Sequence, residues 1–426
     1  MIPFAEALKV WLKIGCLGFG GPAGQIALMH RVIVEEKKWV EEERYLHALN
    51  FCMLLPGPEA QKLATYVGWL LHGVRGGLAA GILFVLPGAL VMLAVSLVYV
   101  LGQGLPVVEG ALFGIKAAVL MIVVEALLRI GRRALKTRLL VGLAAAAFIG
   151  IFFLDLPFPL IVAGAGAIGF FTTRYEDGAA PVRTPGRWRQ FTKAIALGLV
   201  LWWSPIALVF LLLGPAHVLA DVGLFFSKLA VVSFGGAYAL LSYMAQEAVE
   251  TYRWMSAPEM VDGLGLAETL PGPLIKVTQF VGFLGAFRDP EPFSPVAAAV
   301  LGATLTTWVT FVPPMLLIFA GAPFVEQLRA NKRLSGALNA ITAAVVGVIL
   351  NLTVWFALHV LFADVTEART GALRWYAFDP LSVDLRALGL ALLAALLAFR
   401  FRRGLVELIA TMAALGILLR LGGWLY

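Results

Sequence analysis

Two short motifs occur twice in this chain, and their repetition constrains the fold more than any other feature. The first copy has Phe19-Gly20-Gly21-Pro22 and then Leu55-Pro56-Gly57-Pro58; the second has Phe234-Gly235-Gly236 and then Leu270-Pro271-Gly272-Pro273. Lys13 and Lys228 share the same offset of 215 residues, as do Trp39 and Trp254. Four landmarks at one offset indicate an internal duplication.

Further along the chain the match resumes at an offset of 226 residues. Pro87 then corresponds to Pro313, and Gly110-Ala111-Leu112 corresponds to Gly336-Ala337-Leu338. The difference between the two offsets predicts a net insertion of 11 residues in the second copy, around the polar stretch 288–292.

The composition predicts a membrane protein. Hydrophobic residues make up 61% of the chain and charged residues 14%, whereas soluble proteins have roughly 25% charged residues. Apolar stretches of about 20 residues, enough to cross a bilayer, recur along the whole length. The net charge of +7 does not indicate nucleic acid, because an excess of Lys and Arg in membrane proteins collects in cytoplasmic loops.

We therefore predict an all-α polytopic membrane protein with about thirteen transmembrane segments. A first repeat occupies residues 1–173, a cytoplasmic linker 174–190, and a second repeat with one extra span 191–426. The predicted spans lie near 5–30, 45–72, 78–102, 107–129, 139–154, 157–173, 191–213, 218–246, 259–285, 294–320, 334–362, 384–400 and 405–424.

The distribution of basic residues predicts a cytoplasmic N-terminus. Loops that would then lie inside are rich in Lys and Arg, and most outside loops are poor in them. The loop 30–44 disagrees, since it carries four Lys and Arg residues and would lie outside. Two interpretations remain open: the first two segments are full spans, or they are paired re-entrant hairpins, which would return this loop to the cytoplasm.

The order of the spans predicts that the two repeats are inverted. Seven predicted spans separate the first motif segment from its copy near 218–246, and an odd number reverses the direction in the membrane. Inverted repeats with helices broken by Gly and Pro are typical of secondary transporters.

The Leu-Pro-Gly-Pro motif predicts a broken helix. Proline has no N–H and clashes with the preceding turn, so one half-helix ends there and a second begins. The start of the second half-helix presents free N–H groups and the positive end of a dipole, which attract anions. Non-helical backbone inside a membrane is tolerated where protein or a water-filled cavity covers it.

Charged residues within the apolar segments complete a predicted anion site. A Lys at the membrane centre costs about 3 kcal/mol, so its presence indicates a function or an escape to the interface. The acidic residues either neutralise these lysines or carry a coupling proton. The predicted substrate-binding residues are Lys13, Phe19, Gly20, Gly21, Pro22, Gln25, Pro56, Gly57, Pro58, Glu59, Gln61, Lys62, Lys116, Lys228, Phe234, Gly235, Gly236, Glu268, Pro271, Gly272, Pro273 and Lys276.

Two glycines within this set generate a separate expectation. Gly57 and Gly272 each lie between two prolines, where glycine can adopt backbone angles closed to other residues. We expect leucine at either position to leave folding and insertion intact, because the helix is already broken there, while blocking the approach of an anion.

On these residues the sequence resembles the chromate transporter family in its long, two-domain form. The resemblance rests on both motif pairs, on Gln25-Ile26, Trp39 and Tyr66-Val67-Gly68 in the first copy, and on Ala237-Tyr238, Trp254 and Gly282-Phe283 in the second. It covers nearly the whole chain. The second copy departs from the first in having Ala237 where Pro22 stands, which leaves open whether both halves bear equal parts of the site.

The resemblance implies an inner-membrane carrier that expels chromate, confers chromate resistance, and draws on the membrane potential or proton gradient. A carrier for sulfate or another oxyanion is the alternative, and a polytopic membrane enzyme is a second. Against an enzyme, the chain has five histidines and none of the common hydrolase or metalloprotease motifs, and it lacks a Walker A loop. We expect no cofactor, no metal and no nucleic acid, a lipid environment, and a homodimer as one form of assembly.

Overall fold

The computed structural model describes residues 2–173, 187–233, 237–321, 332–371 and 373–424. These residues form sixteen α-helices and one β-hairpin. The predicted linker 174–190 lies almost wholly outside the described residues. In chain order the elements are α1 (Phe4–Leu17), α2 (Gly21–His30), α3 (Glu42–Leu54), α4 (Glu59–Leu101), α5 (Pro106–Ala134), α6 (Arg138–Phe152), α7 (Phe158–Thr172), α8 (Arg187–Leu213), α9 (Val218–Val232), α10 (Ala237–Gln246), α11 (Ala257–Thr269), α12 (Val277–Arg288), α13 (Pro295–Gly321), α14 (Lys332–Leu361), β1 (Val365–Thr370), β2 (Leu373–Phe378), α15 (Leu385–Ala395) and α16 (Leu405–Leu421).

Among the described residues, five helices contain a stretch long and apolar enough to cross a bilayer. These stretches are Glu59–Leu101, Pro106–Ala134, Phe191–Leu213, Pro295–Gly321 and Lys332–Leu361. The helices α6 and α7 are also apolar but have 15 residues each. The helical, apolar character confirms an all-α membrane protein. The thirteen predicted spans do not correspond one to one with these helices.

The first motif segment folds back on itself. The helix α1 ends at Leu17, and α2 begins at Gly21 after a break in which Gly20 has a φ of 86°. Beyond α2 and one π-helical turn, Lys37 Nζ lies 2.7 Å from Glu6 Oε1 on the first turn of α1. A continuous helix would separate these residues by about 45 Å. The segment is therefore a hairpin whose two ends meet.

The second motif segment returns in the same way. Glu42 at the start of α3 lies 2.5 Å from His30 at the end of α2. At its far end, α4 is interrupted by non-helical angles at His72 and Gly73. There His72 Nε2 lies 2.8 Å from the carbonyl oxygen of Ile2. The ends of both segments of the first copy thus lie next to one another within unit 1, which agrees with paired hairpins and not with two full spans.

Local geometry repeats between the two copies. Lys38 and Arg253, which are 215 residues apart, have left-handed φ angles of 51° and 54°. The start and end of the second copy's motif region also meet, because His217 Nε2 lies 2.8 Å from the carbonyl oxygen of Glu291. In the first copy, Ile2 corresponds to His217 and likewise lies beside the end of its motif region, at His72.

The chain divides into two compact units. Unit 1 comprises Met1–Ala94, Ala167–Leu240 and Leu270–Leu338. Unit 2 comprises Val95–Gly166, Leu241–Thr269 and Asn339–Tyr426. Each unit takes segments from both sequence repeats. The predicted domain boundaries at 173 and 191 follow the repeats and stay a prediction.

Glycines allow two helices of unit 2 to pack closely. Gly110 and Gly114 on α5 face α16, where a Cβ at Gly114 would lie 1.8 Å from the carbonyl oxygen of Met412. A Cβ at Gly416 would lie 2.1 Å from the carbonyl oxygen of Gly110. Helices in membranes associate through such small residues, because close backbone approach replaces the hydrophobic effect.

The β-hairpin was not predicted from the sequence. Its strands β1 and β2 are antiparallel. Arg374 on β2 is 2% exposed and attaches the hairpin to the rest of unit 2. The Arg374 guanidinium lies 2.9 Å from Asp155 Oδ1 and 3.2 Å from Glu250 Oε2, and it donates to the carbonyl oxygen of Ile151 at 2.7 Å. This arginine therefore caps the C-terminal end of α6, where the last carbonyls lack helical partners.

The paired hairpins predict which positions share a side of the membrane. In a Cys16→Ser background, which removes the exposed native thiol, a cysteine at Glu42 should react with an impermeant thiol reagent from the same side as a cysteine at Val74. A cysteine at Gln103, after the crossing part of α4, should react from the opposite side. Full spans would instead group Glu42 with Gln103. The measurement is labelling of right-side-out and inverted vesicles.

Candidate oxyanion site

The first Leu-Pro-Gly-Pro break separates α3 from α4. Pro56 and Pro58 provide no N–H, and Gly57 adopts a φ of 102°, a region that favours glycine. The N–H of Gly57 donates to the carbonyl oxygen of Ser233 at 3.0 Å. Ser233 lies directly after α9, at the start of the second copy's Phe-Gly-Gly motif. The break in one copy is thus held by the chain of the other.

The second break repeats this arrangement. Gly272, between Pro271 and Pro273, has a φ of 90°. Its N–H donates to the carbonyl oxygen of Gly18 at 2.9 Å. Gly18 follows α1 as Ser233 follows α9, and the two have nearly the same φ and ψ, −76° and 66° against −78° and 62°. These angles belong to an inverse γ-turn. The two bonds are therefore reciprocal.

The helices that follow each break also pack across the copies. Gln61 on α4 donates its amide to the carbonyl oxygen of Phe311 on α13 at 2.9 Å. Gln279 on α12 donates to the carbonyl oxygen of Ala89 on α4 at 3.1 Å. Because all these residues belong to unit 1, the two breaks and the glutamines that follow them are parts of one compact body.

Gln25 joins the two copies directly. Its side chain is buried, and its Nε2 donates both to the carbonyl oxygen of Gly18 at 3.1 Å and to that of Gly272 at 2.6 Å. Two carbonyl acceptors fix the orientation of the amide. The Oε1 atoms of Gln25, Gln61 and Gln279 are buried with no hydrogen-bond partner among the described residues, so each can accept from a water molecule or a protonated ligand.

The two lysines that follow the breaks are buried and bind backbone carbonyls. Lys62 and Lys276 are each 1% exposed. The ammonium of Lys62 donates to the carbonyl oxygen of Leu55, and that of Lys276 donates to Leu270 at 2.9 Å and to Gly272 at 3.1 Å. Leu55 and Leu270 are equivalent positions. Each lysine thus places a positive charge at the negative end of a half-helix, beside the break.

The breaks differ in what they pack against. A Cβ on Gly57 would lie 2.4 Å from the ring of Pro314, whereas one on Gly272 would lie 3.3 Å from the Cα atom of Gly88. With a positive φ as well, a leucine at either glycine would be strained and would displace a neighbour. The structure therefore contradicts our expectation that such variants fold normally. At Gly57 the rigid ring of Pro314 stands in the way, and at Gly272 the positive φ and the backbone of Gly88 oppose a side chain.

The remaining predicted residues divide into three groups. In unit 1, Lys13 on α1 and Lys228 on α9 are exposed, and Phe19, Gly20, Gly21, Pro22 and Glu59 lie at the starts of half-helices. In unit 2 lie Lys116 and the buried Glu268. Phe234, Gly235 and Gly236 lie outside the described residues.

Sequence reasoning missed one buried acid. Asp262 on α11 is 4% exposed, and its carboxylate lies 3.2 Å from the ammonium of Lys116 and 3.1 Å from the hydroxyl of Tyr99. It belongs to the apolar segment 259–285, where a lone aspartate carries the same cost as the lysines predicted to lie in the membrane. That cost was the signal that could have identified it.

The close contact between α4 and the second break predicts a specific sensitivity. A Cβ on Gly88 would lie 2.3 Å from the carbonyl oxygen of Pro271, and backbone atoms cannot move aside easily. We expect Gly88→Ala to destabilise the protein by about 1–3 kcal/mol, as overpacking usually does. The control is Gly164→Ala, which meets nothing within 4 Å. Thermal unfolding in detergent measures both, and equal melting temperatures would contradict the close packing.

The profile of the chromate transporter family matches residues 5–170 and 220–418. The chain is 31% identical to the chromate transport protein of Pseudomonas aeruginosa, over 99% of this chain and 92% of that protein. It is 27% identical to the probable chromate transport protein of Synechococcus elongatus (82% of this chain, 83% of that one) and 26% identical to the chromate transport protein of Cupriavidus metallidurans (81% and 80%). No solved structure matches the chain. These matches span both copies of the motif pair, whose residues contact each other within unit 1. This protein therefore belongs to the chromate transporter family.

Proposed function

We propose that this protein is a secondary carrier that exports chromate across the inner membrane and so confers chromate resistance, driven by the membrane potential or the proton gradient. The observation that carries the proposal is the reciprocal pair of helix breaks, each with a buried lysine. The family and the names of the relatives support chromate as the substrate. The same geometry suits sulfate, a tetrahedral dianion of similar charge, which is the alternative substrate.

The site that we propose lies at the two breaks in unit 1. A dianion there would meet the N–H groups at the start of α4, which have no acceptor within the helix. It would also meet the positive ends of half-helix dipoles and the charges of Lys62 and Lys276. Two lysine charges match the two charges of the oxyanion, and Glu59 is the acid closest in sequence to the first break. Lys13 and Lys228, being exposed, would act at the approach to the site.

We further propose that the repeats are related by a pseudo-two-fold axis in the membrane plane. Contacts across a two-fold axis come in reciprocal pairs, and the bonds from Gly57 to Ser233 and from Gly272 to Gly18 form such a pair. If the first two segments are hairpins, they do not cross the membrane, and the number of crossings between the copies falls from seven to five. This number is still odd, so the two repeats remain inverted. The N-terminus and the basic loop 30–44 would then both be cytoplasmic, in accord with the positive-inside rule.

Electrostatics favours export. One charge that crosses 100 mV is worth about 2.3 kcal/mol, and a dianion that leaves a negative interior gains about twice that. At about 1.4 kcal/mol for each tenfold ratio, the potential can sustain a gradient on the order of a thousandfold. Uptake would need at least three protons or sodium ions for each anion in order to reverse the net charge.

The lysines provide the test of the site. We expect Lys62→Gln and Lys276→Gln each to lower chromate transport in proteoliposomes at least tenfold, because glutamine keeps a donor for the backbone carbonyl but removes the charge. Lys9→Gln, an exposed lysine on α1, is the control and should transport like the parent. Chromate transport by Lys13→Gln and Lys228→Gln tests whether the two exposed lysines take part.

The outcomes separate the proposals. If a folded Lys62→Gln variant transports chromate at the parent rate, the charge of Lys62 is not part of the anion site. Sulfate that moves as fast as chromate, and competes with it, would favour the broader oxyanion carrier. Labelled chromate that emerges chemically unchanged in counterflow supports a carrier, whereas a changed product would support the membrane enzyme.

A further inference from the structure

A buried charge cluster lies in unit 2, whereas the helix breaks belong to unit 1. It consists of Asp262 on α11, Lys116 on α5 and Tyr99 near the end of α4. Lys116 Nζ lies 3.2 Å from Asp262 Oδ1, and the Tyr99 hydroxyl donates to Oδ2 at 3.1 Å. Each oxygen of the carboxylate thus faces one partner.

The burial of the cluster means that the Asp262 carboxylate needs either a partner cation or a bound proton. Residues 260–268 of α11 are all buried, so Asp262 is surrounded by the protein interior. An ionised carboxylate in such a place depends on its partner cation, and the alternative is to bind a proton. The Lys116 side chain is 25% exposed against 6% for Asp262, so the cluster is not sealed on the lysine side.

Other charged groups near α11 are already engaged. On α11 itself, Glu259 accepts from the N–H and the hydroxyl of Ser256, both at 2.8 Å, and the buried Glu268 lies six residues beyond Asp262. On α5, Glu125 lies 3.7 Å from Arg129. The helix α16, which also contacts α11, carries Glu407, which lies 3.5 Å from Arg403, and Arg420, which lies 2.6 Å from Glu109. Among the charged groups with described contacts, Lys116 is therefore the cation paired with Asp262.

The cluster occurs in one copy of the duplication. The residue that corresponds to Lys116 is Thr342, and the one that corresponds to Asp262 is His47, which is exposed on α3. The Leu-Pro-Gly-Pro breaks, by contrast, occur at corresponding positions in both copies. A buried ion pair is a weak source of stability, since apolar residues of the same size often serve as well. The shared framework therefore does not require this pair.

We propose that Asp262 binds and releases the coupling proton of the transport cycle, with Lys116 as its charge partner and Tyr99 as its hydrogen-bond donor. This inference rests on the proposed carrier function. A proton from water on one side of the membrane adds to the Asp262 carboxylate and gives the neutral acid. Lys116 keeps its proton, so the net charge of the pair rises from zero to plus one. Release to the other side restores the ion pair.

The test compares driven transport with exchange in proteoliposomes. Chromate is kept at constant pH on its own side, the pH of the opposite side is varied, and the membrane potential is clamped at zero. We expect the parent flux to change at least fivefold with the pH gradient and that of Asp262→Asn less than twofold. Chromate counterflow needs no net proton movement, so its rate in Asp262→Asn should stay within threefold of the parent rate. Glu109→Gln, which breaks an ion pair in the same unit, is the control and should respond like the parent.

A second variant guards against misfolding, because Asp262→Asn leaves Lys116 buried without its partner. Lys116→Gln combined with Asp262→Asn leaves no charge in the cluster, and it should also lose the pH response. If either folded variant responds to the gradient like the parent, or if the parent does not respond at all, the assignment is overturned. If the parent shows no chromate counterflow, the carrier function itself fails, and that result is distinct from both.

Discussion

The structure depends on two backbone hydrogen bonds that the halves of the chain exchange. Gly57 donates to Ser233, and Gly272 donates to Gly18. Each bond gives a backbone N–H at the helix break of one copy an acceptor from the chain of the other copy. In a membrane interior an unpaired N–H or carbonyl costs several kcal/mol, so neither break is stable without the opposite half. The close approach of the halves is thus a condition for the irregular backbone, and the proposed anion site depends on that backbone.

The buried lysines follow from the same constraint. A helix that stops inside the protein leaves carbonyl oxygens without partners. Lys62 and Lys276, four and three residues after their breaks, donate to carbonyl oxygens at the equivalent positions Leu55 and Leu270. A charge that would be costly when buried alone is stabilised by the carbonyl dipoles that surround it. One side chain therefore completes the end of a half-helix and holds a positive charge at the break.

The duplication, the positions of the breaks and the membrane class could be predicted from the sequence, because proline and glycine impose their backbone geometry locally. Contacts between distant segments could not. The contact of Lys37 with Glu6 distinguishes a hairpin from a span, and no local pattern contains it. Lys13 and Lys228 match in sequence yet are exposed, since helical position alone does not fix which face a neighbour covers. Asp262 and the β-hairpin depend on partners more than one hundred residues away.

The residue that faces each break differs between the copies, with Pro314 against Gly57 and Gly88 against Gly272. Proline holds its backbone in one narrow range of φ, whereas glycine admits many. The chain also resumes after Gly57 directly as an α-helix, but after Gly272 through a short 3₁₀ turn, Leu274–Lys276. Duplication has therefore left two breaks of the same backbone shape with unequal restraints, because one faces a proline and leads straight into a helix, whereas the other faces a glycine and leads into a short 3₁₀ turn.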